Sequence, residues 1–241
     1  KYYLNENELQ KRIDLLIKYS EPDGDKKTLF IWPEGAISGK YFNDLGVFKS
    51  KISKNFSNKH TILFGINTLD TKSGKFYNSL VITDNHLKKI FQYDKIKLVP
   101  FGEFLPFEKT FKKFNLKKIT EGFGSFSRGF EQKSFLYEGI NLIPLICYEI
   151  IFPKMLQKVE IDNSLVINIS EDAWFGNTIG PHQHFSKSIF RAIENDSFVI
   201  RSANKGISAI VDNSGRVIKS LKSNESGSIE YQIPKINSHY K

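Results

Sequence analysis

Leu9, Ile13, Leu16 and Ile17 recur at helical spacing near the start of the chain and predict an amphipathic helix there. The next apolar run, Thr28 to Trp32, is short, continuous and closed by Pro33, the pattern of a buried strand. Asp44 to Phe56 predicts a second helix, and Thr61 to Asn67 and Ser79 to Thr83 predict two further strands. Leu142 to Cys147 and Leu165 to Ile169 read as buried strands. Gly180-Pro181 breaks the chain before a helix from about His182 to Asn195, which carries Phe185, Ile189 and Ile193 on one face. Ser197 to Ala203, Ile207 to Val211 and Arg216 to Leu221 finish as strands, with the hairpin turn signal Asp212-Asn213-Ser214-Gly215 between the last two. Strands interleaved with helices imply a layered α/β domain. Phe101 to Phe130, rich in Phe, Lys and Gly, predicts no regular element.

Composition bounds this picture. With 241 residues, 40% hydrophobic and 25% charged, the chain can build one large core or two small ones. Neither a repeat nor a low-complexity linker divides it, so residues 1–241 are expected to form a single domain. No stretch reaches the roughly 18 apolar residues a membrane span needs. The most apolar run, Ile140 to Tyr148, already contains Asn141 and Pro144. No leader peptide is visible and position 1 is Lys rather than Met, so the chain reads as an excerpt or a processed product. The net charge is +9, with 30 Lys against 5 Arg. Such a surface is simply solvated, or meets an anionic membrane or a nucleic acid. The single cysteine excludes an internal disulfide and any metal site that needs several thiolates.

Three apolar runs end on reactive side chains, where a sheet edge holds them rigidly. Phe30-Ile31-Trp32-Pro33-Glu34 ends on a carboxylate, and Leu142 to Glu149 presents Cys147. Tyr93 to Glu103 carries Lys95 and ends on a second carboxylate, Glu103. If these converge they make a nucleophilic site. A thiol with a free pKa near 8.5 holds little thiolate at neutral pH and needs a base, which Glu34 supplies. Lys95 and the Tyr148 N–H are placed to hold an oxyanion. Taken singly, a cysteine on an apolar strand is a small core residue, Glu34 an edge charge and Lys95 a solvated one.

The flanking residues favour the site. Trp32-Pro33-Glu34, Tyr93 to Glu103 and Ile146 to Pro153 resemble the three catalytic blocks of the nitrilase, or carbon–nitrogen hydrolase, superfamily. The resemblance is closest to its apolipoprotein N-acyltransferase branch, through Leu98 to Glu103, Cys147-Tyr148-Glu149, Asn168 to Gly176 and Gly180 to His184, and continues through Arg191-Ala192 and Arg201 to Ser208. It implies a four-layer α-β-β-α sandwich and a Glu34, Lys95, Cys147 triad. It also implies that Glu103 is an important second carboxylate, and that Tyr148, Glu149 and Trp174 line the site. Departures from the family pattern fall at Gly35 to Ser38, Lys97, Glu171 and Lys205, none of them a triad position.

The implied reaction moves a fatty-acyl chain from a phospholipid, through a thioester on Cys147, to the amine of a diacylglyceryl-cysteine apolipoprotein. No cofactor or metal takes part: His182 and His184, two apart at a helix start, diverge and have no evident third ligand. A membrane surface is the expected partner, the chain acts as a monomer, and the domain faces the periplasmic side of a bacterial inner membrane, cut from a longer membrane enzyme. Phe104, Leu105, Phe107, Phe111, Phe114 and Leu116, interleaved with Lys109, Lys112, Lys113, Lys117 and Lys118, are expected to form a membrane-facing lid within 101–130, with Gly122 and Gly124 as hinges. The alternatives are a soluble amidase using the same triad and a basic nucleic-acid-binding domain, for which no motif speaks.

Overall fold

The chain, seen in a computed structural model that describes residues 6–104, 125–157 and 163–233, builds two sheets flanked by helices. The first sheet takes β1 (Thr28–Ile31), β2 (His60–Asp70), β3 (Lys75–Thr83) and β4 (Lys89–Asp94) in that order. β1 lies parallel to β2, and β2–β3–β4 run antiparallel. The second sheet has β5 (Phe135–Tyr137), β6 (Ile140–Ile146), β7 (Ser164–Glu171), β8 (Phe198–Asn204), β9 (Ser208–Val211) and β10 (Val217–Leu221) in reverse order across it. β6, β7 and β8 form its parallel centre, and antiparallel strands close both edges.

The period of two along each strand sorts the apolar residues into three cores. Ile62, Phe64 and Ile66 of β2 pack against Leu9 and Ile13 of α1 (Glu6–Ser20) and Ile52 of α2 (Lys49–Asn55). Leu63, between them in sequence, turns the other way to meet Ile146, Leu165, Ile167 and Ile169 between the sheets. Ile143, Leu145, Val166 and Val199 face α3 (Gly180–Glu194) through Phe185, Ile189 and Ala192. Helix, sheet, sheet, helix is the four-layer sandwich that the resemblance implies.

Three details differ from the sequence reading. The helix expected over Asp44–Phe56 is split: a 3-10 helix over Phe42–Phe48 precedes α2. Asp44 and Gly46 are poor helix formers, and burial of Leu45 and Phe48 holds the tighter turn instead. Two strands were not predicted. β4 is an edge strand interrupted by Gln92 and Asp94, and β5 is three residues long. β2 and β3 also run past their predicted ends, pairing to Asp70 and Lys75 around a turn with Gly74 at φ +67°. Of the proposed lid, 105–124 lie outside the described residues. No helix among the described residues is long and apolar enough to cross a membrane.

Candidate active site

Glu34, Lys95 and Cys147 come from the C-terminal ends of three strands in two different sheets. After β1, the Trp32 N–H still bonds the Leu63 carbonyl at 2.8 Å, and Pro33 then ends the ladder, so Glu34 turns in between the sheets. Gly65 makes room for it: a Cβ there would stand 2.8 Å from the Glu34 Cα and 3.0 Å from Ile169 Cδ1. Lys95 follows β4, anchored by its N–H on the Asn78 carbonyl and by the Gly129 N–H on its own carbonyl, both at 2.8 Å. Gly129 is obligatory for that approach, since a Cβ would fall 2.0 Å from the Asp94 carbonyl oxygen. Cys147 closes β6 at φ +49°, in the left-handed region that side chains with a Cβ seldom adopt.

The three side chains form one buried network. Lys95 Nζ donates to Glu103 Oε1 at 2.9 Å and to Glu34 Oε1 at 3.4 Å, with only 1% of its side chain exposed. Asn78 Nδ2 bridges the two carboxylates at 2.7 Å each. Glu34 Oε2 accepts the Glu171 N–H at 2.9 Å, and the carbonyl of the same Glu171 accepts from Cys147 Sγ at 3.9 Å. Burial alone works to lower the Lys95 pKa, but Glu103 and Glu34 outweigh it and hold the ammonium above its ordinary range. Burial, with Glu34 nearby, pushes the Cys147 thiol up to about 12 against the pull of Lys95. Cys147 therefore rests as a neutral thiol near the Lys95 ammonium.

Glu149 stands behind this site, fully buried. Its Oε1 accepts from the N–H groups of Ile96 at 2.7 Å and Lys97 at 3.0 Å, its Oε2 from the Ile146 N–H at 2.9 Å, and the Tyr93 hydroxyl donates to both oxygens. It ties the Lys95 loop to the end of β6. Desolvation raises its pKa, opposed by those backbone donors. The Tyr148 ring is half-buried against Phe152, edge to face at 5.0 Å. Trp174 is exposed on the turn Asp172–Phe175 after β7.

A second buried network lies beneath Cys147. His184 Nε2 bonds the Cys147 carbonyl at 3.1 Å, and Nδ1 lies 2.9 Å from Asp172 Oδ1. Asp172 also accepts from Ser170 Oγ at 2.7 Å and Arg201 Nη2 at 2.7 Å, and Arg201 reaches Asn168 Oδ1 and the Ile207 carbonyl. Against the penalty of burial, His184 and Arg201 hold the Asp172 carboxyl down at about 2. Donor atoms of Cys147, Asp172 and His184 all lie within 4.8 Å of one another, a spacing that a metal ion would accept. The Arg201 guanidinium already fills the open side of Asp172 and lies 3.1 Å from His184 Nδ1, and Nε2 faces the Cys147 carbonyl, so this set fits hydrogen bonding rather than a cation. His182 is exposed while His184 is buried, so the two do diverge.

The sequence reading did not single out Asn78, Asp172 or Arg201. Asp172 and Arg201 stand inside blocks noticed for their resemblance, but nothing local distinguishes their bridging role. Asn78 sits in a plain strand, and only its position opposite Glu34 reveals it.

A family model described as carbon-nitrogen hydrolase matches residues 8–238. An apolipoprotein N-acyltransferase of Rhizobium leguminosarum bv. trifolii is 36% identical over 87% of this chain and 40% of its own length. One of Rickettsia typhi is 37% identical over 86% of this chain and 42% of its own. The chain thus spans about two fifths of the length of the curated relatives it matches. Among solved structures, an amidase from Nesterenkonia sp. superposes with a TM-score of 0.65 at 17% identity, over 93% of this chain and 84% of that one. Saccharomyces cerevisiae Nit3, a nitrilase-superfamily member, does so at 0.62 and 19%, over 91% of this chain and 80% of that one. The chain belongs to the carbon-nitrogen hydrolase family.

Proposed function

We propose that this chain is the catalytic domain of an apolipoprotein N-acyltransferase, with Glu34, Lys95 and Cys147 as its reacting groups. The observation that carries the proposal is the match, over 87% of the chain, to a relative of that name. Glu34 takes the Sγ proton as sulfur attacks the ester carbonyl carbon of a phospholipid. Lys95 Nζ and the Tyr148 N–H hold the resulting oxyanion. The carbon–oxygen bond then breaks, Glu34 returns its proton to the leaving oxygen, and a lysophospholipid departs from a Cys147 thioester. The neutral amine of a diacylglyceryl-cysteine attacks the same carbon and passes a proton to Glu34. The carbon–sulfur bond breaks, the thiolate recovers that proton, and the product is an amide.

The thioester must outlive water while it waits for an amine. The segment 101–130 is proposed as a membrane-facing lid for this purpose, supported by its interleaved Phe and Lys residues and by the exposed rings of Phe101 and Phe130 at its ends. Glu103, bonded to Lys95, serves as the second carboxylate. Tyr148 and Trp174 border the substrate path, and Glu149 supports the Lys95 loop from behind. In this reading the domain works as a monomer at the periplasmic face of a bacterial inner membrane.

Mass spectrometry tests the reading. After incubation with phospholipid in detergent, the peptide containing Cys147 is expected to gain a fatty-acyl mass, and to lose it when a diacylglyceryl-cysteine peptide is added. Hydrolysis of small amides with no retained acyl group would replace the transferase with a soluble-type amidase.

A further inference from the structure

The chemistry assigned to Glu34, Lys95 and Cys147 leaves the buried group on the other flank of the nucleophile without a role. His184 sits on α3, in the helix layer outside the second sheet, whereas Glu34 and Lys95 belong to the first. We propose that His184 is a positioning residue: by gripping the Cys147 carbonyl it aims the Tyr148 N–H, the backbone donor of the oxyanion site. The proposal rests on the acyl-transfer reading of Cys147.

The Cys147 carbonyl and the Tyr148 N–H belong to one planar unit, trans like every described peptide bond, so they point in opposite directions. Fixing the carbonyl therefore fixes the N–H. The peptide needs fixing, because Cys147 at φ +49° occupies a strained conformation that relaxes unless its surroundings hold it. The Tyr148 N–H lies in the first turn of the 3-10 helix Cys147–Ile151, where N–H groups have no acceptor within the helix. It is thus available to a substrate oxygen.

His184 is itself immobilised. Its Nδ1 meets Asp172 at 2.9 Å, and Asp172 is clamped by Ser170 and Arg201. Its ring packs on Phe175, with centroids 5.6 Å apart. Such a chain transmits the rigidity of β7, β8 and α3 to one carbonyl oxygen.

A cysteine, a histidine and an aspartate in contact also invite a rival reading, with His184 as the base. The geometry opposes it. The Cys147 carbonyl can only accept, which places a proton on Nε2, and Nδ1 is enclosed by Asp172 Oδ1 and by Arg201 Nη2 at 3.1 Å, so neither nitrogen is open to the thiol proton. The thiol turns instead to the Glu171 carbonyl, at 3.9 Å.

Two reactions of Cys147 separate the roles. Acylation by a short-chain p-nitrophenyl ester passes through an oxyanion, whereas alkylation by iodoacetamide does not. His184→Asn keeps a nitrogen near Asp172 but no longer reaches the Cys147 carbonyl. His184→Gln extends a donor to that carbonyl. In His184→Asn the acylation rate constant is expected to fall about 10²-fold at unchanged half-saturation, the typical effect of losing one oxyanion donor, while alkylation stays within about threefold. His184→Gln is expected to recover most of the lost acylation.

Parallel loss of both reactions in His184→Asn, in protein that unfolds at the wild-type temperature, would make the histidine a proton acceptor and overturn the proposal. Undiminished acylation in that variant, or a His184→Gln variant as slow as His184→Asn, would overturn it too. If His184→Asn does not fold, His184→Gln decides alone: near-normal acylation supports the proposal, and lost acylation with intact alkylation refutes it. A wild-type protein that alkylates but never acylates would instead remove the acyl-transfer reading.

Discussion

In the proposed reaction a thiol held near a pKa of about 12 cannot attack as a standing thiolate, so the burden falls on the residues that receive its proton and stabilise its product. This orders the expected losses. Cys147→Ala removes the nucleophile and should leave no turnover, whereas Lys95→Ala should slow acyl transfer at least about 10²-fold by removing a charged oxyanion donor. Single-turnover acylation with a chromogenic ester measures both, and a Lys95→Ala enzyme of wild-type rate would remove lysine from the mechanism. Gly129→Ala should act on the same step from a distance. Its Cβ would fall 2.0 Å from the Asp94 carbonyl oxygen, a backbone atom that cannot swing aside, and displace Lys95 from Glu34 and Glu103. Lost acylation with the cysteine still present is the expected result, and an unaffected rate would show that the loop yields without moving the ammonium. At this scale the sequence was legible where chemistry is local. Glu34, Lys95 and Cys147 each lie in a recognisable block. Asn78 and Arg201 do not, because what they bridge is contributed by other strands.

The elements explain why those blocks converge. β1, β4 and β6 all deliver a side chain at a C-terminal end, yet they belong to two sheets, and their meeting depends on how the loops beyond them are tied. Glu149 is that tie, since one carboxylate gathers the N–H groups of Ile96, Lys97 and Ile146. Glu149→Ala would leave three backbone donors without their acceptor and should lower folding stability by about 2–5 kcal/mol, read as a reduced urea midpoint. Stability within about 0.5 kcal/mol of wild type would mean that water or a rearranged loop replaces the carboxylate, an ordinary outcome for surface sites but not for buried ones. The periodic core strands were legible because burial on both faces writes a continuous apolar run. β4 and β5 were not: at a sheet edge one face is open, and Gln92 and Asp94 then pack in polar contacts that look like loop sequence. The 3-10 helix before α2 was hidden for a related reason, since tertiary burial of Leu45 and Phe48 overrides weak local preference.

Taken whole, the molecule stores opposite charge effects at the two sides of one strand end, and its stability should show both. Asp172, held at about 2 by His184 and Arg201 against the cost of burial, is ionised more readily in the folded chain than in the unfolded one, where an aspartate titrates near 3.9. Its contribution, on the order of 2–3 kcal/mol, is complete above about pH 4 and is lost as the pH falls toward 2. Glu171 is the reverse case. Desolvation, with Glu34 and Asp172 close by, outweighs its bonds from Ala173 and Asn204 and raises its carboxyl to about 7. Among the described residues no cationic side chain pairs with it. The folded chain therefore keeps a proton that the unfolded chain releases near pH 4.3, and stability declines as the pH climbs from there through 7. Together the two groups favour a maximum near pH 4 to 5. Glu171→Gln, which keeps an oxygen acceptor and removes the charge, should abolish the decline on the neutral side and leave the acid limb unchanged. Urea midpoints at pH 3, 5 and 8 measure this directly. If wild type and variant lose the same stability between pH 5 and 8, another buried acid carries the effect, and Glu149, also raised by desolvation, is the next to exchange.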